Sequence, residues 1–320
     1  MRLEYDIHGA RLRAPLVSAH SRTDVRSLVR VRLIAEDGFV GVGEAAPLES
    51  YNGVSVQDVV AALAAWRPDG PLPVLPQAAA AIDLALWDLR GRRTGEPVWR
   101  LLGAQRALPI AVNATIGAEV PSDAARAAQS ARAAGFPCVK VKVGAGADLA
   151  RAWAVREAAG AELAIRLDAN GAWSVREAIA ALEALAPVGI ECCEEPVHGA
   201  AALADVASGT PVPVSADESA REALAGGERV CAAVCLKIAA SGGISGVLRD
   251  AKLARELGYE VYLASTLDGP PGIAAALHAA AVIVPDRPCG LATLAMFEAE
   301  DPLPPAGGFM AAPSTPGLIG

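Results

Sequence analysis

"CVKVKVG", at positions 138–144, alternates Val139, Val141 and Val143 with Lys140 and Lys142. Side chains alternate between the two faces of a strand, so both ammonium groups share one face. On an exposed antiparallel strand that face would meet water. Whether it does here depends on the sheet to which the strand belongs.

The segments around it answer this. From about Pro109, short apolar runs alternate with alanine-rich helical runs. The apolar runs are "PIAVNAT" (109–115), "CVKVKV" (138–143), "AIRLDAN" (164–170), "GIECCEEP" (189–196), "PVPVSADES" (211–219), "AAVCLKI" (232–238), "EVYLAST" (260–266) and "PCGLAT" (288–293). Helices are predicted between them over 123–134, 149–159, 175–185, 244–257 and 272–282. Successive strands lie roughly 20 to 30 residues apart, the length of one βα unit. Near-continuous apolar strands at that spacing predict a parallel sheet covered by helices. Eight units close a barrel, and no GxGxxG follows any strand, which disfavours a dinucleotide-binding sheet. Both faces of such strands are covered, so Lys140 and Lys142 point into the interior or the barrel mouth.

The first hundred residues read differently. "SLVRVRLIAEDGFVGVGEAAP" (27–47) alternates, with "EDG" (36–38) at the turn of an antiparallel hairpin. Helices are predicted over 55–66 and 77–90. The second has a stripe of Ala81, Ile82, Ala85, Leu86 and Leu89 and is stopped by "GRRTGEP" (91–97).

The chain has 320 residues, of which 53% are hydrophobic, ample for a large core. Alanine-rich stretches are interrupted by charges, and no window resembles a signal peptide or a membrane span. A soluble cytoplasmic protein is expected. The net charge of −8 and the lack of a basic stripe argue against nucleic acid. The six cysteines fall mostly in strand-like runs without a CxxC pair, so they are expected as core thiols rather than disulfides or zinc ligands.

Charged groups recur at the ends of the predicted strands. Asp168 ends one run with Asn170 on the same side. Glu194 and Glu195 end the next, Asp217 and Glu218 the one after, and Lys237 a further one. Any one carboxylate there would ordinarily be a loop residue or helix cap, and a single lysine would ordinarily snorkel to water. Five successive strands ending in Lys-x-Lys, Asp, Glu, Asp and Lys converge instead on one barrel mouth, where barrel enzymes carry their chemistry. Three carboxylates from consecutive strands form a hard oxygen site suited to Mg²⁺, and the four histidines lie away from these ends. A cation there can hold a substrate carboxylate while the adjacent carbon loses its proton. A lysine with its pKa lowered by burial and neighbouring cations suits the role of base.

These motifs, with "GVGEAAPL" (41–48), "AAIDLALWDLRGRRTGEPVWRLLG" (80–103), "LDANGAWS" (167–174) and "LKIAASGGIS" (236–245), resemble the enolase superfamily in its muconate lactonising enzyme subgroup. The resemblance covers nearly the whole chain. It implies an α/β protein, a modified (β/α)7β TIM-like barrel over 107–290 with an α+β capping domain formed by 1–106 and joined by 291–320. It also implies Mg²⁺ on Asp168, Glu194 and Asp217, with Lys142 and Lys237 as the acid/base pair and Lys140 as a supporting charge. Glu195 and Glu218 would buttress the site without holding the metal.

The implied partner is a small-molecule carboxylate, with neither nucleic acid nor membrane, and a homo-oligomer is compatible with the sequence. Three reactions share these groups. "CGLAT" (289–293) is similar to o-succinylbenzoate synthases, which perform a dehydration in menaquinone biosynthesis, and this lyase activity is the leading expectation. Racemisation of N-succinylamino acids or epimerisation of dipeptides is the isomerase alternative, with muconate cycloisomerisation behind it. Dipeptide epimerases typically carry an Asp-x-Asp pair at the last strand to grip the substrate ammonium. Here only Asp286 precedes that strand. Expected substrate contacts are Asn170, Ser265, Thr266, Arg22 and Tyr51. The polar stretch 17–27, with His20, Arg22 and Arg26, is expected as a flap. In "STLDGPPGI" (265–273), Pro270 and Pro271 are expected to stiffen the loop and remove two backbone donors.

Overall fold

The computed structural model describes residues 1–17, 22–117 and 120–320. His20 lies outside them. Three antiparallel strands open the chain in the order β1 (Arg2–Val17), β2 (Arg22–Ile34) and β3 (Val40–Ala45). The expected hairpin is β2–β3, with Val29 opposite Ala45 and Ile34 opposite Val40. Part of the expected flap is therefore strand, because residues from Arg22 onward pair with β1. The inward residues Val29, Val31 and Leu33 are fully buried against Val59, Leu63 and Ile82 of the helices Val56–Ala65 and Pro76–Thr94. Ser55 starts the first of these helices with a reciprocal capping box to Asp58. In the second, the expected stripe is buried except for Leu86, which is exposed.

A two-residue strand β4 (Ile110–Ala111) precedes seven parallel strands: β5 (Asn113–Ile116), β6 (Cys138–Lys142), β7 (Ala164–Asp168), β8 (Ile190–Glu194), β9 (Val214–Ala216), β10 (Ala233–Leu236) and β11 (Glu260–Leu263). They pair strictly in sequence order, so neighbouring strands come from consecutive βα units. Asp286 N donates to Val261 O, and the chain then reaches Cys289 and Gly290. These two form parallel bridges to Val112 and Ala264, next to the sheet's two edge strands. The expected eighth strand is thus reduced to a pair of bridging residues. The largest apolar cluster lies between this curled sheet and its helices. All six cysteines are buried and free.

The C-terminal segment returns to the first part of the chain. A last strand, β12 (Phe309–Met310), pairs antiparallel with β4. Leu318 N donates to Asp88 Oδ1, and Trp99 Nε1 donates to Pro313 O. Pro270 and Pro271 begin the helix Pro270–Ile283 rather than stiffening a loop. The first helical turn has no intrahelical use for its N–H groups, so two prolines cost it no hydrogen bond. The helices Ala200–Gly209 and Ala220–Ala225 were not anticipated.

Candidate active site

The parallel register places the charged groups side by side. Lys142 lies opposite Asp168 and Asp168 opposite Glu194, so their side chains emerge on the same face of the sheet at the C-terminal ends of β6, β7 and β8. Asp217 follows β9 and Lys237 follows β10. The ligand atoms of Asp168, Glu194 and Asp217 lie within 4.8 Å of one another, and all three residues are buried.

The lysines bracket this acidic group. Lys142, 8% exposed, places Nζ 2.6 Å from Asp168 Oδ2 and 2.8 Å from Asn170 Oδ1. Lys140, two residues earlier on the same face of β6, places Nζ 3.0 Å from Asp168 Oδ2 and 3.1 Å from Glu194 Oε2. At the other end of the row Lys237, 6% exposed, lies 2.6 Å from Asp217 Oδ1. The chain has four lysines in all, and only Lys252 lies elsewhere, exposed on a helix. That scarcity is a signal the strand-by-strand reading of the sequence did not use.

Other groups set the orientation of the carboxylates. Arg166, fully buried over the Tyr262 ring, donates from Nη1 to Glu194 Oε1 at 3.3 Å, while its Nε and Nη2 hold Glu191. The backbone N–H of Asn170 donates to Asp168 Oδ1, and its side-chain Nδ2 donates to Glu218 Oε1 at 3.0 Å. Glu195, fully buried, accepts the amides of Asp217 and Ser219 and the Ser219 hydroxyl, which clamps the loop that carries Asp217.

The electrostatics follow from this crowding. Burial would push the Asp168 carboxyl up, but the Lys142 and Lys140 ammonium groups outweigh it and hold it well below the usual carboxylate range. Burial would lower Lys140, and Glu194 and Asp168 reverse that. Burial would likewise lower Lys237, where Asp217 prevails. The carboxylates therefore dominate these two lysines. Burial and the Asp217 charge push Glu218 up to about 8, and burial also raises Glu195.

The donor set fits a hard divalent cation. It is all oxygen, comes from three adjacent strand ends, and has its outer oxygens fixed by Arg166 and Asn170. A cavity of about 160 Å³ adjoins it, lined by Lys140, Lys142, Asp168, Asn170, Asp217 and Lys237 on one side. Ser265 and Thr266 line it as well, together with Tyr51, whose hydroxyl donates to Asp217 Oδ1. Thr115, Thr293 and His198 also reach it, His198 against the expectation that the histidines lie away from the strand ends, and lone hydroxyls such as Thr115 and Thr293 carry no sequence pattern. Ser265 Oγ and Thr293 Oγ1 are 2.8 Å apart. The backbone N–H groups of Thr266, Leu267 and Gly269 donate to Asp268, Ser265 and Glu44 respectively, so these three donors are engaged, two within the loop and one by β3. Arg22 is not brought to the cavity. It is exposed and forms a two-pronged pair with Asp24. Arg26 is buried, donating to Pro47 O.

No helix among the described residues is long and apolar enough to cross a membrane. Residues 123–318 match the family model for the enolase C-terminal domain-like fold, and residues 70–103 match that for the mandelate racemase / muconate lactonizing enzyme N-terminal domain. The chain is 32% identical over 295 residues to an L-Ala-D/L-Glu epimerase of Clostridium acetobutylicum, covering 81% of this chain and 82% of that protein. It is 36% identical over 215 residues to an o-succinylbenzoate synthase of Thermobifida fusca, covering 63% and 66%. The structure of a dipeptide epimerase from Enterococcus faecalis, complexed with Mg and the dipeptide L-Leu-L-Tyr, superposes with a TM-score of 0.90 at 27% identity, covering 99% of this chain and 98% of that one. With its acidic triad at consecutive strand ends, the chain belongs to the enolase superfamily, in the subgroup of mandelate racemase and muconate lactonizing enzyme.

Proposed function

We propose that this protein abstracts the proton α to a substrate carboxylate, with Mg²⁺ held by Asp168, Glu194 and Asp217 at the mouth of a modified (β/α)7β barrel. The barrel would span 107–290, under a cap formed by 1–106 and 291–320. When bound, the cation neutralises charge that grows on the substrate carboxylate as the proton leaves. Lys142 is the base. Its short contacts to Asp168 and Asn170 fix Nζ at the cavity wall. Lys237 faces the cavity from the far end of the acidic row as a cation. Lys140 balances Glu194 and Asp168.

Within this chemistry the reading favoured is o-succinylbenzoate synthesis. Lys142 takes the α-proton and returns it to the departing hydroxide, which leaves as water, while Lys237 stays an ammonium throughout. The observation that carries this reading is the neutral wall beyond the carboxylates, made by Thr115, Ser265, Gly290 and Thr293. A free α-ammonium buried there would need a carboxylate of its own. Of those bordering the cavity, Asp168 is held by Lys142 and Asp217 by Lys237, while Glu218 gives one oxygen to Asn170, keeps the other without a partner, and is a poor anion near neutral pH because burial and the Asp217 charge raise its pKa to about 8. The second reading, racemisation or epimerisation of an amino-acid derivative, is favoured by the likeness to the Clostridium epimerase over most of the chain. Lys142 and Lys237, at opposite ends of the row, would then serve one face each.

Turnover of the synthase substrate, compared with N-succinylamino acids and dipeptides in the presence of Mg²⁺, separates these readings. The synthase substrate is expected to have the highest kcat/KM. Racemisation of N-succinylamino acids alone would replace the first reading by the second, and turnover of dipeptides alone would overturn the argument from the neutral wall.

A further inference from the structure

Tyr51 belongs to the one-turn helix Glu49–Asn52, delivered to the cavity by the segment that follows β3. Two contacts occupy its side chain. The hydroxyl donates to Asp217 Oδ1 at 2.9 Å, and Lys237 Nζ lies 3.8 Å from the centre of the ring. Lys237 Nζ in turn holds Asp217, so ring, ammonium and carboxylate close a triangle. The polar tip and one ring face of Tyr51 are thus already used inside the protein.

The triangle matters because Asp217 has two calls on it. In the function proposed above, on which this inference rests for its catalytic consequence, Asp217 is a metal ligand as well as the counter-ion of Lys237. A carboxylate shared between two cations holds each less firmly. An aromatic face attracts an ammonium group but offers nothing to a hard oxygen-seeking cation, so a metal cannot displace Lys237 from it. Lysine is a flexible four-carbon stem with a point charge, and a buried one needs such a fixed partner to stay aimed at a reacting carbon.

We propose that Tyr51 is a positioning residue, whose ring face holds the Lys237 ammonium at the cavity wall while its hydroxyl orients Asp217. The first test needs neither substrate nor a known reaction. With four lysines in the chain, protein labelled with carbon-13 at the lysine Cε gives four signals. Loss of one in Lys237→Arg assigns Lys237, and Lys252, 79% exposed, is the reference. The Lys237 signal is expected to be displaced upfield by the ring, in the parent and in Tyr51→Phe and Tyr51→Trp. It should stay so when Mg²⁺ is added and move towards the Lys252 position in Tyr51→Leu. A signal indifferent to Tyr51→Leu, or one that loses its displacement on adding Mg²⁺, overturns the proposal.

Turnover supplies the second test. Tyr51→Leu should lower kcat about tenfold with KM nearly unchanged, and Tyr51→Trp should recover part of the loss. A rise in KM alone would make Tyr51 a substrate contact and overturn the proposal. Failure of every substrate in the panel with the ring displacement intact would count against the proposed reaction, leaving the Tyr51 assignment standing.

Discussion

His278 and Glu44 are buried titratable groups that tie distant parts of the chain together, and they pull stability in opposite directions with pH. His278 Nδ1 accepts from Trp99 N–H, and its other nitrogen faces Leu318 O, so the neutral ring satisfies both. Burial lowers its pKa from 6.5 to about 4. Between those values the unfolded chain takes up the proton more readily than the folded one, so stability falls as pH drops from 6.5 towards 4, by about 3 kcal/mol at most. Glu44 accepts from Gly269 N–H beside Asp268 and Arg26, and burial, with the Asp268 charge, raises it from 4.5 to about 8. There the folded state holds the proton more tightly, so its contribution is complete below 4.5 and is lost as pH rises through 8. Urea unfolding across pH should show His278→Gln flattening the acid limb and Glu44→Gln the alkaline one. Unchanged limbs would contradict these assignments. Neither residue stood out in the sequence, because burial at a junction between distant segments leaves no local pattern. The site's charged residues did stand out, since each sits at the end of an apolar run.

At the scale of elements, β3 is held against the helix Pro76–Thr94 by glycines. A Cβ on Gly43 would lie 2.0 Å from Ala81 O, and one on Gly41 would lie 2.0 Å from Ala85 O. Backbone cannot yield as a flexible side chain does, so Gly43→Val should destabilise by about 3 kcal/mol and lower the melting temperature. Gly38, in the β2–β3 turn with open space around it, is the comparison. Gly38→Ala should cost about 1 kcal/mol, from its positive φ alone. Equal losses at the two positions would contradict the close packing. The same elements show where sequence patterns fail. β1 has few buried positions along its length, so it shows no clean alternation. The helix Ala200–Gly209 follows Gly199, which has no side chain to cap it and announce its start. Pro270 and Pro271 lack backbone donors, and tertiary structure places them at a helix start where those donors are not needed.

For the whole molecule, the repeat of apolar run and helix was legible because buried parallel strands must be apolar throughout, and charge at their ends then has one place to go. Closure was not legible in the same way. Cys289 and Gly290 reach towards the two edges of the sheet through two isolated bridges, too few to carry a strand's periodicity. Nor does the order of strand ends choose between dehydration and epimerisation, since both begin by removing the same proton. That removal is the central claim, and it is measured directly by release of tritium to water from the α-carbon of the acid this protein turns over. The account predicts release that requires Mg²⁺ and falls about a thousandfold in Lys142→Ala, with Mg²⁺ affinity by calorimetry retained. Tritium release at the parent rate in Lys142→Ala, or release indifferent to Mg²⁺, would contradict it.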